Sequence, residues 1–164
     1  AMTLADRIAI MKGGVVMQLD TPGVIYNKPA NKYVADFIGS PSMNFFDTTL
    51  ETTGGPRVNI AGREVSLEGY EFTRPGVSGD VWFGIRPEHI VSGEMADTAP
   101  ARFEVNAELV EPMGAETLIW ATLGGAPLRF RVDGHLTVAP GETIRIGFDP
   151  ARASIFDKVE ELRI

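Results

Sequence analysis

The two histidines, His89 and His135, lie far apart in the sequence, and neither has a second ligand at metal-site spacing. A histidine metal centre is not expected. Cysteine is absent, which removes thiolate metal sites and disulfide scaffolds. The 22 carboxylates are numerous enough for acid–base work. They fall mostly on the polar phase of alternating segments, and none pairs off as a glycosidase-type acid and base. No Gly-Lys pair occurs, so a G-x-x-x-x-G-K-[ST] phosphate loop is absent. G-x-G-x-x-G and the G-x-S-x-G nucleophile elbow are absent as well. The expectation is a chain that is not itself an enzyme and holds no metal or cofactor.

What remains suits docking or binding. Arg86 and Glu88 flank Pro87 at the end of an apolar run. They read either as a local ion pair at a rim, worth up to about 1 kcal/mol when exposed, or as anchors of a rim loop that meets a partner. Gly114 and Glu116 sit in Met113-Gly114-Ala115-Glu116, a strand-to-strand turn or an exposed partner loop, with Gly114 expected at positive φ. Ser40, Pro41, Met43, Asn44 and Phe45 form a third group. Pro41 biases Ser40 away from helix, and the soft apolar pair around one amide suits a seam between subunits. The same string also reads as a plain turn and strand entry. Gly124-Gly125 near Arg129 and Arg131 is a weak candidate for a backbone anion nest. Trp82 and Trp120 read as core or interface aromatics, and His89 as a satisfied rim residue.

Two zones of elements carry these residues. Residues 1–40 read as a hairpin followed by helices. Arg7–Met11 and Val15–Leu19 are strand candidates around Lys12-Gly13-Gly14. Thr21 and Pro22 supply an N-cap and an N1 proline. Asn31 is placed to cap a second helix with Val34, Phe37 and Ile38 on its apolar face and Gly39 beyond its end. Residues 41–164 change to period two. Val65 and Leu67; Val81, Phe83 and Ile85; Phe103, Val105, Ala107 and Leu109; Leu118 to Leu123; Leu128, Phe130 and Val132; and Ile144, Ile146 and Phe148 all read as strands. Many short strands, 18 Gly and 11 Pro predict a small barrel or sandwich, and Ser92–Pro100 is the break expected between two lobes.

The 164 residues are enough for one domain plus a short appendage. Net charge is −7, with the first 40 residues close to neutral. Nucleic-acid binding is therefore disfavoured. No stretch reaches the ~18 apolar residues of a spanning helix. The first residues lack a basic and then apolar leader and read as mid-domain sequence.

Three segments together resemble a known family. Ala1 to Ile8, Met11-Lys12-Gly13-Gly14 and Gln18 to Pro22 resemble the end of the ATPase domain of ABC importers, just after the switch histidine. Asn27 to Asn31 and Phe37 to Phe45 resemble the junction of ATPase and regulatory domains in carbohydrate-importer ATPases, such as the maltose-importer ATPase. Gly84 to His89 and Val110 to Thr117 resemble that family's regulatory-domain signatures. The resemblance implies a mainly β fold of OB-like barrel lobes (residues 41–164) behind a remnant of the ATPase domain (residues 1–40). It implies a regulatory, dimerising role without catalysis here, with ATP and Mg belonging to the full-length family. It also implies a homodimer, permease subunits reached through the ATPase domain, and in some members a phosphotransferase-system protein, all at the inner face of the plasma membrane. A small-ligand module sensing an oxyanion or sugar is the alternative. A free-standing enzyme would need a pocket with paired carboxylates.

Overall fold

The computed structural model describes residues 6–164. The part of the resemblance carried by residues 1–5 lies outside them.

The chain begins with a hairpin of β1 (Ile8–Lys12) and β2 (Val15–Asp20). Its turn needs φ of 56° at Gly13 and 80° at Gly14, a region that glycine enters without steric cost. Helix α1 (Pro22–Asn27) starts where Thr21 Oγ1 accepts from the Val24 N–H. Helix α2 (Lys32–Phe37) starts where Asn31 Oδ1 accepts from the Val34 N–H at 2.9 Å. Six-residue helices are not stable alone. These two are held because Ile10, Ile25, Val34 and Ile38 bury into one cluster against the hairpin. Phe37, expected on that apolar face, is 61% exposed and stacks on Tyr33 instead. Ala35 takes the buried position, because the contact face of so short a helix centres on residues 34, 35 and 38.

Eleven strands follow: β3 (Asn44–Leu50), β4 (Arg57–Ile60), β5 (Arg63–Ser66), β6 (Gly79–Ile85), β7 (Val91–Ser92), β8 (Ala101–Asn106), β9 (Leu109–Pro112), β10 (Glu116–Leu123), β11 (Ala126–Asp133), β12 (Thr143–Phe148) and β13 (Ser154–Asp157). Every pairing is antiparallel. β6 lies between β3 and β13, β12 between β7 and β8, and β10 between β9 and β11, while β4 and β5 form a hairpin. Their inward residues share one hydrophobic cluster that includes Phe46, Phe83, Ile119, Phe130, Phe148 and Ile155. Each such side chain contributes about 1.5–3 kcal/mol on burial. The architecture is mainly β, as the alternation predicts, and OB-like, as the resemblance implies.

Two differences from the sequence reading have a clear cause. The alternation from Phe103 to Leu109 predicts one strand, but the chain turns a corner at Ala107. The Ala107 N–H donates to Glu142 O, beside β12, and the Glu108 N–H donates to Trp120 O, on β10. The strand changes partner sheet there, and Leu109, which the alternation puts inside, is 50% exposed beside Glu108. β13 was not expected because Ser154, Ile155 and Phe156 are all buried and show no alternation. Ser92–Pro100 is mostly a 3-10 segment (Gly93–Thr98), tied to β12 by the Arg145–Asp97 ion pair at 2.9 Å.

Candidate interaction site at the helix–barrel junction

The β6 strand ends at Ile85, and a 3-10 turn (Pro87–His89) follows. Arg86 between them turns inward and is only 2% exposed. Its Nη2 and Nε donate to Tyr26 O at 2.9 and 3.3 Å, and its Nη1 to Ile38 O at 2.8 Å and Ala35 O at 3.4 Å. The guanidinium also lies 4.2 Å from the Tyr26 ring centroid. Burial pulls its pKa down to about 10, so it stays charged at neutral pH. The carbonyl oxygens at the C-terminal ends of both short helices therefore meet one buried cation, as free helix ends favour. Of the two readings of Arg86 and Glu88, the local ion pair does not form: Glu88 is exposed, while Arg86 faces the helices.

The junction is reinforced on two sides. Ala35, Met43 and Phe156 form a small buried cluster flanked by Phe45 and Trp82. The C-terminal tail also returns to it, where the Arg163 N–H donates to Ala30 O and the Lys32 N–H to Glu161 O, both at 2.9 Å.

Beside Arg86 a cleft of about 320 Å³ opens between α1 and the barrel. Lys28, Glu71, His89, Arg152 and Arg163 line it. Lys28 Nζ and the Glu71 carboxylate pair at 2.9 Å, which holds that carboxyl below its ordinary range. Burial, then Arg152 and Arg86, push the His89 imidazole down to about 4, so it is neutral at pH 7. Its Nδ1 is buried without a hydrogen-bond partner.

The sequence candidates scatter around this junction. Met43 and Asn44, expected at a seam, are 3% and 1% exposed within this chain, so they are not themselves available as a surface. Asn44 accepts from the Arg129 N–H and donates to Arg129 O, both at 2.9 Å, locking the start of β3 to β11. Phe45 is half-buried against Phe156, with Lys32 Nζ 4.6 Å from its ring centroid. Ser40 and Pro41 lie at the rim, and Ser40 O accepts from Arg131 Nη2. Gly114, with φ of 90°, and Glu116 lie on the exposed β9–β10 turn, away from the lining of the cleft. Trp82 and Trp120 are half-buried under cations, Lys158 4.3 Å from the first ring and Arg129 5.4 Å from the second.

The proposed nest does not assemble. Arg129 and Arg131 donate to the backbone carbonyls of Ser42 and Ser40, while Gly124-Gly125 forms the turn at the far end of β11. A Cβ on Gly124 would lie 2.9 Å from Ala61 Cα, so that glycine serves the close approach of two hairpins. Sequence reasoning missed Lys28, Glu71, Arg152 and Arg163 as neighbours. Nothing local to them signals that the fold brings them together.

The fold and this junction define a small antiparallel barrel module bolted to a helical lead-in. Residues 39–90 match the MalK OB fold domain and residues 83–156 match the TOBE domain, so Arg86 and His89 fall in the stretch that both matches share. Over its whole length the chain is 39% identical to the sulfoquinovosyl glycerol transport ATP-binding protein SmoE of Agrobacterium fabrum, covering 45% of it. It is 38% identical to the multiple sugar-binding transport ATP-binding protein MsmK of Streptococcus mutans, again over all of this chain and 47% of that protein. It is also 38% identical to the sn-glycerol-3-phosphate import ATP-binding protein UgpC of Chromohalobacter salexigens, over 96% of this chain and 41% of that one. The chain thus spans less than half the length of these relatives. In fold it resembles the molybdate-binding protein ModG, with a TM-score of 0.51 at 14% identity, covering 68% of this chain and 94% of that one.

Proposed function

We propose that this chain is the regulatory and dimerisation part of the ATP-binding subunit of an importer for sugars or related solutes, with no catalysis of its own. The observation that carries this reading is the Arg86 clamp. The guanidinium on the barrel holds the backbone of both short helices at once. A push on the helical lead-in is thereby passed to the barrel, which is what a regulatory appendage of a moving ATPase needs.

The described turn with a lysine beside two glycines, Lys12-Gly13-Gly14, closes a β-hairpin and does not lead from a strand into a helix. On this reading ATP and Mg act in the rest of the subunit, which also meets the permease subunits at the inner face of the plasma membrane. A second copy would bind through exposed barrel surface. The β9–β10 turn, with Met113 66% exposed beside Gly114 and Glu116, and the rim at Ser40, Phe45 and Glu88 are the surfaces on offer to it or to a phosphotransferase-system protein.

Sedimentation velocity across a concentration series tests the dimer, with Met113→Asp as the variant because its side chain carries no part of the core. A concentration-dependent dimer that Met113→Asp weakens supports the reading. A monomer at every concentration would overturn the dimerisation part.

A further inference from the structure

The cleft between α1 and the barrel gathers positive charge in a chain whose net charge is −7. Arg86, Arg152 and Arg163 all line it, and among the described residues none of the three is ion-paired with a carboxylate. Arg86 is saturated by backbone carbonyls, which neutralise none of its charge. Arg152 is exposed at the edge of the cleft, and Arg163 Nη1 donates to Ser154 Oγ at 2.8 Å. Arg152 and Arg86 both act electrostatically on His89, which places those two cations around one group, and Arg163 faces Glu71 across the same cleft. The one acid in the lining, Glu71, is already engaged by Lys28. The buried His89 Nδ1 has no partner.

Like charges gathered in a concave, partly desolvated site repel one another, and an anion relieves that repulsion with charge-assisted hydrogen bonds. We infer that this cleft binds a small phosphate-bearing anion, held by Arg152 and Arg163, with Lys28 leaving Glu71 to join them. The volume of about 320 Å³ accommodates a phosphate carrying a small organic group. Because Tyr26 to Lys28 form one wall and the barrel the other, the anion would bind across the helix–barrel junction. The site is distinct from the Gly124-Gly125 turn and does not depend on whether the chain dimerises.

The test is a titration of the ¹⁵N-labelled chain with inorganic phosphate and, separately, with ribose 5-phosphate, at fixed ionic strength with chloride as the control. The expected result is saturable shifts at His89, Arg152 and the Tyr26–Lys28 amides. Arg152→Gln, which removes an exposed side chain, is expected to weaken binding about tenfold, the loss of one charge-assisted contact. Glu71→Gln, which removes the competitor for Lys28, is expected to strengthen it severalfold. Tighter binding of ribose 5-phosphate than of phosphate identifies an organic phosphate as the ligand class, and equal binding identifies the free ion. The proposal is overturned if neither compound shifts these resonances beyond the chloride control, or if Arg152→Gln and Glu71→Gln both leave the affinity unchanged.

Discussion

The Arg86 guanidinium donates to the carbonyl of Tyr26 through both Nε and Nη2, at 3.3 and 2.9 Å, while lying 4.2 Å from the centroid of the same residue's ring. One side chain thus reads both the backbone and the face of a residue sixty positions earlier. Arginine can do this because its planar fork donates in several directions and stacks on aromatic rings. Lysine, a point charge without the planar fork, cannot lie flat on the ring and span carbonyls of both helices at once.

Arg86→Met therefore leaves the carbonyls of Tyr26, Ala35 and Ile38 without their donor. A stability loss of about 2–4 kcal/mol is expected from urea unfolding. Hydrogen exchange at the α1 and α2 amides should accelerate more than at β10 or β11. Equal acceleration throughout would show that Arg86 supports the fold generally and does not clamp the helices.

Asn44→Ala removes a two-way backbone bond to Arg129 and is expected to cost about 2 kcal/mol, seen as a lower urea midpoint. The association state should be unaffected except through stability, because Asn44 has no free surface. A change in self-association at unchanged stability would return Asn44 to the docking seam.

Gly124→Val forces a branched side chain into φ of 58° and against the backbone of Ala61. The expected cost is about 2–3 kcal/mol. For a chain of this size that lowers the thermal midpoint by about 5–10 °C. Gly125→Val, which meets no neighbour within 4 Å but shares the positive φ, isolates the backbone contribution.

The pH dependence follows from His89. Its folded pKa of about 4 lies below the ordinary 6.5, so between these values the unfolded chain binds a proton that the folded chain refuses. Stability should therefore fall as the pH is lowered from about 6.5 towards 4, and this contribution should be flat above 6.5. Asp157 responds lower down. Burial raises its pKa, but the amide bonds from Glu160 and Leu162 and the Arg74 ion pair outweigh that and hold it below 3.8. His89→Gln is expected to flatten the loss between pH 6.5 and 4 and to leave the steeper acid limb in place. An unchanged profile in urea melts across that range would contradict the burial of a neutral imidazole.

Local chemistry alone settled much of this protein. The glycine turn of the first hairpin, the Thr21 and Asn31 caps and the Gly39 stop depend on contacts within four residues, and all formed as their side chains dictate. Period-two alternation placed β8 and β11, which show one face to the core and one to water, whereas β6, β10 and β12 are also buried on both faces over part of their length. The motifs from Gly84 to His89 and from Phe37 to Phe45 lie in or beside the stretches that match the MalK OB fold and TOBE domains. Only the tertiary structure decided what those motifs do. Arg86 was legible as special, but its partners are backbone carbonyls, which every residue carries and no sequence pattern marks. Asn44 was legible as a lone amide among apolar neighbours, but its partner is the backbone of Arg129, on a strand 85 residues away. The basic cleft draws on residues 28, 71, 89, 152 and 163, whose approach depends on β13 and the tail folding back along β6 and the helices. Such long-range closure depends on how strands pair across the whole chain, and the spacing of residues along it holds no record of that.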